Sequence, residues 1–238
     1  VEPPPDPSPA PDLGATIVSH DPKADFWSRA QPIERRLRAQ TEATVEALRA
    51  KYADPIIGDV RMWDQIERLA QCIDPTDSQL YTTSQLVHVL QVIEGMGHDG
   101  IVDPDLILAA LVHDIGKVLL LTDEDPANVV CTNTVISAPG PGVGLDRCVL
   151  QWNHDEFGWT RVRDHVPDHV AWLVRYHSID LEACEPLFDD RDRDYADRYL
   201  RTFARYDHGT KSAHLRPSIR IDAYRDLIED AFPDPIPF

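Results

Sequence analysis

Apolar positions in several stretches of this chain recur with the 3.6-residue period of an amphipathic helix. TEATVEALRAKYA (41–53), within a segment rich in Ala, Arg, Glu and Leu that starts near Asp25, is one such stretch. VRMWDQIERLAQCI (60–73) is a second and stops before Asp74-Pro75, and LVHVLQVIEGMG, starting near Ser84, is a third. Pro104 is well placed to open a long apolar helix, PDLILAALVHDIGKVLLL (104–121). Residues 122–144 change character: β-branched residues broken by Gly and Pro predict a loop with one short hairpin near 129–144. Helices then resume with LDRCVLQWNHDEFGWTRVRDH, PDHVAWLVRYHSI and RDYADRYLRTFARYDHGTK, and a short one covers IDAYRDLIED. The pattern predicts an all-α fold. Residues 1–14 form a Pro-rich leader expected to be disordered, and 15–238 a single domain.

Polar residues interrupt this pattern at places where packing alone offers no reason for them. His88 stands in LVHVL, His113 and Asp114 in LVHDIGK, and His177 in LVRYHS. His154-Asp155 follows a tryptophan in LQWNHDE, and Asp207 closes TFARYD. One His in an apolar setting is more often a hydrogen-bonded core residue than a ligand. Four of them with two inward-looking Asp would need many partners, which a pair of divalent or trivalent cations supplies at once. Imidazole and carboxylate donors without thiolate suit iron, manganese or zinc. His113 and Asp114 point about 100° apart on a helix, so the Asp can reach toward a second metal. Lys117 falls on the same face, as a substrate contact or as a salt-bridge partner of a ligand carboxylate.

Composition narrows the field. The 238 residues carry 41 Asp and Glu against 23 Lys and Arg, a net charge of −18, which disfavours nucleic acid and anionic membranes as partners. No stretch is long and apolar enough for a transmembrane helix. Cys72, Cys131, Cys148 and Cys184 are scattered, so a reducing, cytoplasmic setting is expected. The five Trp are expected in the core, DDRDRDYADRYLR as a solvated helix face, and His98, His165, His169, His208 and His214 as bystanders.

The adjacent His-Asp followed by further His and Asp resembles the HD-domain superfamily, and the longer segments resemble the myo-inositol oxygenase family. LVHVLQVIEGMG, ALVHDIGKVLLL, GLDRCVLQWNHDEF, VRYHS and ARYDHGTK carry the likeness, over roughly residues 25–212. GLDR followed by W-x-H-D-E-aromatic is its most specific part. The resemblance implies a helical HD-type bundle with two iron ions, mixed-valent Fe(II)/Fe(III), in its core. Its ligands fall on His88, His113, Asp114, His154, His177 and Asp207, with Asp114 bridging. It further implies an oxidoreductase that uses O2 to cleave a C–C bond of a cyclitol or related vicinal diol to an acid, without an external reductant. Substrate contacts carried over are Lys117, Ser178, Asp74 or Asp77, and Lys211, with Arg29 as the nearest counterpart of an N-terminal arginine. A small polyol and O2 as the only partners, and a monomer, complete the expectation.

The chain leaves the family pattern between Val130 and Gly144. Cys131, Thr132 and Asn133 stand where a Gly-Asp-Thr substrate loop and a longer covering insertion are expected. Thr132 and Asn133, and Cys131 if its loop lines the pocket, thereby become candidate substrate contacts. Losing an acceptor carboxylate there should change hydroxyl recognition, so a non-inositol substrate stays open. Two other readings remain: an HD-type metal-dependent phosphohydrolase, and a non-catalytic metal-stabilised helical protein.

Overall fold

The computed structural model describes residues 22–130 and 132–238. The expected leader and Cys131 lie outside the described residues, as do the side chains of residues 22–24. The chain is built from helices around one contiguous apolar core, as the periodicity predicts. In order these are α1 (Pro22–Arg38), α2 (Glu42–Lys51), α3 (Met62–Arg68), α4 (Gln85–His98), α5 (Pro104–Val112), α6 (His154–Val162) and α7 (Asp168–Tyr176). Then follow α8 (Leu181–Cys184), α9 (Asp190–Tyr195), α10 (Arg201–Gly209) and α11 (Arg225–Ala231).

Local chemistry sets the boundaries. Thr41 caps α2 through the Thr44 N–H, and Asp103 caps α5 with Pro104 in its first turn. Asn153 caps α6, which places His154 at that helix's first position. Asp189 and Asp192 form a capping box on α9. Asp192 is fully buried and also accepts from Leu145 N (2.7 Å) and Trp172 Nε1 (2.8 Å). The mixed-charge run is therefore not simply a solvated face. Trp63, Trp152 and Trp172 are buried as expected, whereas Trp27 is 43% exposed.

The largest departures from the predicted elements fall at and around the polar residues. The 104–121 helix is not continuous: α5 ends at Val112, and Ile115–Leu121 is a tighter 3₁₀ segment. At the break Asp114 has φ −95° and ψ 9°. Gly116 explains why this segment can lie so close to α6, because a Cβ there would sit 2.0 Å from the His154 carbonyl oxygen. The hairpin pairs β2 (Val135–Ser137) with β3 (Val149–Leu150), so part of LDRCVLQWNHDEF is strand and the helix starts only at His154. A second pairing joins β1 (Asp59–Val60) to β4 (Ile236–Pro237), which takes the start of the predicted 60–73 helix. Between α9 and α10 the helix widens into a π segment, Ala196–Leu200, before Phe203, Tyr206 and Asp207 turn into the core.

Candidate metal centre

Six side chains from α4, the α5–3₁₀ junction, α6, the end of α7 and α10 converge in the interior. His88, His113, Asp114, His154, His177 and Asp207 are each at most 3% exposed. Three imidazoles are held by backbone carbonyls through Nδ1: His113 by Ala110 (2.8 Å), His154 by Val129 (2.7 Å) and His177 by Val174 (3.0 Å). With Nδ1 donating to a carbonyl, each directs Nε2 inward, the nitrogen that would bind a metal in the neutral imidazole.

Asp114 divides these donors into two sets. Its Oδ2 lies 3.4 Å from His113 Nε2 and 3.8 Å from His88 Nε2. Its Oδ1 lies 3.1 Å from His154 Nε2 and 3.7 Å from His177 Nε2. Asp207 Oδ1 joins the first set, 2.9 Å from His88 Nε2 and 3.8 Å from His113 Nε2. Donor atoms about 2.1 Å from one metal ion in cis positions stand roughly 3 Å apart, so both sets are spaced to hold an ion. His113 Nε2 is buried without a hydrogen-bond partner, as a metal-directed nitrogen would be.

The electrostatics agree with a site made for cations. Burial opposes protonation of His154, yet Asp155 and Asp114 outweigh it and push the imidazole up to about 9. Burial alone would raise Asp114, but Lys117 and His113 hold it well below the usual carboxylate range. Burial likewise works against Asp207, and the His88 hydrogen bond with Lys211 holds it well below that range. His88 behaves differently: burial outweighs its contact with Asp207 and lowers it.

A cavity of about 280 Å³ opens onto these donors. Asp74, Asp77, Lys117, Thr132, Ser178 and Lys211 line it. Lys117 Nζ has three acceptors, Asp114 Oδ2 (3.1 Å), Gln85 Oε1 (3.1 Å) and Asp74 Oδ2 (3.2 Å). Burial pulls its ammonium down, and Asp114 with Asp74 more than reverses this. Lys117 thus both faces the cavity and fixes a ligand carboxylate. Lys211 pairs with Asp77 at 3.0 Å, so both carboxylates of CIDPTD contribute to this wall. The Ser178 hydroxyl donates to Asp155 Oδ2.

Two residues read from the sequence as substrate contacts stand elsewhere. Asn133 is buried behind the wall, donating from its backbone to the Ser178 carbonyl (3.2 Å) and from Nδ2 to Asp155 (3.3 Å). Arg29 is exposed on α1, where Nε donates to its own helix at the Asp25 carbonyl (3.3 Å), and it does not line the cavity. An arginine one turn into an exposed helix face finds its nearest acceptor on that helix.

Sequence reasoning gave no role to Glu34 on α1, Gln85 and Asp155, and His208, expected as a bystander, lines the cavity. Asp155 Oδ1 is buried without a hydrogen-bond partner, 2.9 Å from His154 Nε2 and 3.6 Å from His177 Nε2. Its place in HDE beside a ligand was the available signal. Glu34 offered none, since it sits in an ordinary charged helix.

The model of the family described as "Myo-inositol oxygenase" matches residues 31–138 and 128–238. A "Probable inositol oxygenase" of Oryza sativa subsp. japonica is 28% identical over 239 residues, covering 82% of this chain and 75% of that protein. "Inositol oxygenase 2" of Arabidopsis thaliana is 28% identical over 249 residues, covering 86% and 78%. "Inositol oxygenase" of Homo sapiens is 25% identical over 180 residues, covering 58% and 61%. With nearly the whole described chain inside the family match, and the buried donors lying in it, this protein belongs to the myo-inositol oxygenase family.

Proposed function

We propose that this protein is an O2-dependent di-iron oxygenase that cleaves a C–C bond of a cyclitol or a closely related vicinal diol to give an acid. The observation that carries the reading is the division of Asp114, one oxygen toward the His88/His113/Asp207 set and the other toward the His154/His177 set. His88, His113 and Asp207 would hold one ion, His154 and His177 the other, and Asp114 would bridge them. When bound, a pair of iron ions supplies a site for dioxygen, polarisation of substrate oxygens and redox capacity.

The chain's own groups then have defined tasks. The backbone carbonyls of Ala110, Val129 and Val174 keep three imidazoles in the tautomer that donates through Nε2. The Lys117 ammonium holds Asp114 Oδ2 in place, and its charge at the cavity wall favours a diol oxygen carrying negative charge. Asp74 and Asp77 present acceptors for substrate hydroxyls; Lys117 outweighs the burial that would raise Asp74, and Lys211 pairs with Asp77. Ser178 donates to Asp155 and accepts from Asn133 N at 3.1 Å, which leaves one lone pair to accept from a hydroxyl. The donor atoms themselves are buried, so bulk water reaches them only through the cavity.

The test is anaerobic purification, iron counting, and electron paramagnetic resonance of a coupled Fe(II)/Fe(III) pair with and without myo-inositol. About two irons per chain, as the two donor sets imply, and a signal perturbed by the polyol are expected. A signal indifferent to myo-inositol would keep the di-iron centre and remove that substrate. Zinc or a single metal together with phosphatase activity would overturn the oxygenase reading.

A further inference from the structure

The metal-facing cavity does not end at Thr132. A second chamber of about 490 Å³ begins there, bounded by Arg38, Thr134, Gln151 and Asp180, and it shares Glu34 and Thr132 with the first. The inner compartment, at about 280 Å³, sits at the small end of small-molecule sites, whereas the outer one is ample for a further ring.

The outer chamber contains a built acceptor. Gln151 is 4% exposed, and its amide orientation is fixed because Nε2 donates to the Leu37 carbonyl at 2.9 Å. Its Oε1 is consequently a buried oxygen with no donor among the described residues. A buried oxygen left unpaired is unfavourable, and a ligand hydroxyl would satisfy it. Glu34, half-buried at the sill between the chambers, likewise has no hydrogen-bond or ion-pair partner among the described residues. Asp180 Oδ1 accepts from Ala183 N, leaving its other oxygen open to a ligand donor.

We propose that the substrate is a cyclitol carrying a neutral, hydroxyl-rich substituent such as a glycosyl group, with the cyclitol at the metals and the substituent in the chamber beyond Thr132. The inference rests on the cyclitol reading above. Its chemical class follows from the lining. Gln151 Oε1 is a buried acceptor that requires a donor, and Glu34 and Asp180 add acceptors beside it, which sugar hydroxyls suit. A phosphate brings acceptors only, so it would leave Gln151 Oε1 unpaired and set its charge against two carboxylates, with Arg38 alone in its favour.

The experiment is anaerobic isothermal titration of the iron-loaded protein with myo-inositol, galactosyl-myo-inositol and a myo-inositol monophosphate. Binding of the glycoside at least about tenfold tighter than the free cyclitol, with the phosphate weakest, is expected; tenfold corresponds to one well-made hydrogen-bond set. Thr134→Trp fills the outer chamber from an exposed position, so it should lower the glycoside-to-cyclitol affinity ratio toward one. Glu34→Gln should lower that ratio less and narrow the margin against the phosphate. Free myo-inositol binding as tightly as the glycoside, or a ratio untouched by Thr134→Trp, would overturn the proposal while leaving the cyclitol reading intact. The phosphate binding best would overturn the assignment of a neutral substituent. Binding of none of the three would remove the cyclitol reading and this inference together.

Discussion

Two clusters of buried charge lie next to each other in this fold, and adjacent residues of one segment feed both. His154 and Asp155 turn toward Asp114, while Glu156 turns the other way. Around Glu156 every charge meets its opposite: Arg175 Nε at 2.6 Å, Arg49 at 3.0 Å, and Arg175 again on Asp146 at 2.8 Å. The Tyr176 hydroxyl donates to Asp146 at 2.7 Å, and the Arg175 guanidinium lies 3.9 Å over the Trp159 ring. Around Asp114, by contrast, three carboxylates and four imidazoles converge, and His113 Nε2 and Asp155 Oδ1 have no hydrogen-bond partner. Glu156 is as buried as Asp114, so burial of a carboxylate does not by itself mark the site. What marks it is that the chain closes one network with its own groups and leaves the other to be completed from outside.

Breaking the open cluster should have the largest effect. Asp114→Ala removes a donor from both sets at once, so metal analysis should find neither ion and turnover should vanish. Retention of both metals would contradict the bridging assignment. The closed cluster should respond in stability instead. Arg175→Ala leaves the buried Glu156 with Arg49 as its one remaining cation, so it should cost at most about 3–5 kcal/mol in denaturant unfolding, with iron per folded chain unchanged. Replacing the pair together, Glu156→Leu with Arg175→Met, should cost much less, because no unpaired charge is left behind.

Lys117 stands between the two behaviours, since it has three acceptors yet faces the cavity. Lys117→Ala should keep the metals and lower kcat about 100-fold or more, the range of a lost charge at a reacting oxygen. Full activity would make its role purely structural. The smallest effect belongs to the rim of the closed cluster. Burial would raise the Asp146 carboxyl, but the Tyr176 hydroxyl and Arg191 hold it below its usual range. A carboxyl lowered by folding contributes stability above its unfolded value, near 4, and loses it as pH falls through the folded value. Asp146→Asn should therefore flatten the acid limb of a stability–pH curve while changing little near neutrality.

Much of this could be read before any coordinates. The helices at 85–98 and 168–176 lie where the 3.6 period puts them, because each buries one apolar stripe. The break at Asp114 was not legible, because LVHDIGKVLLL reads as one apolar run. The 3₁₀ turn depends on Gly116 meeting the His154 backbone, a contact across 38 positions of sequence. Val149–Leu150 reads as helix from the sequence because it is apolar in either form, and only its pairing with Val135–Ser137 makes it a strand.

The sequence by itself determined the donor chemistry: which imidazoles and carboxylates stand in apolar helices, with no thiolate among them, and hence what kind of ion they suit. Side-chain chemistry and helical period are local properties, and local properties survive in a linear string. The tertiary structure decided which oxygen of Asp114 faces which histidines, that Asp155 joins the centre while Glu156 leaves it, and that Glu34 and Gln151 border one chamber. Those are relations between segments up to a hundred or more residues apart, such as Gln151 and Leu37. They are fixed by how the helices pack, which no single stretch of residues encodes.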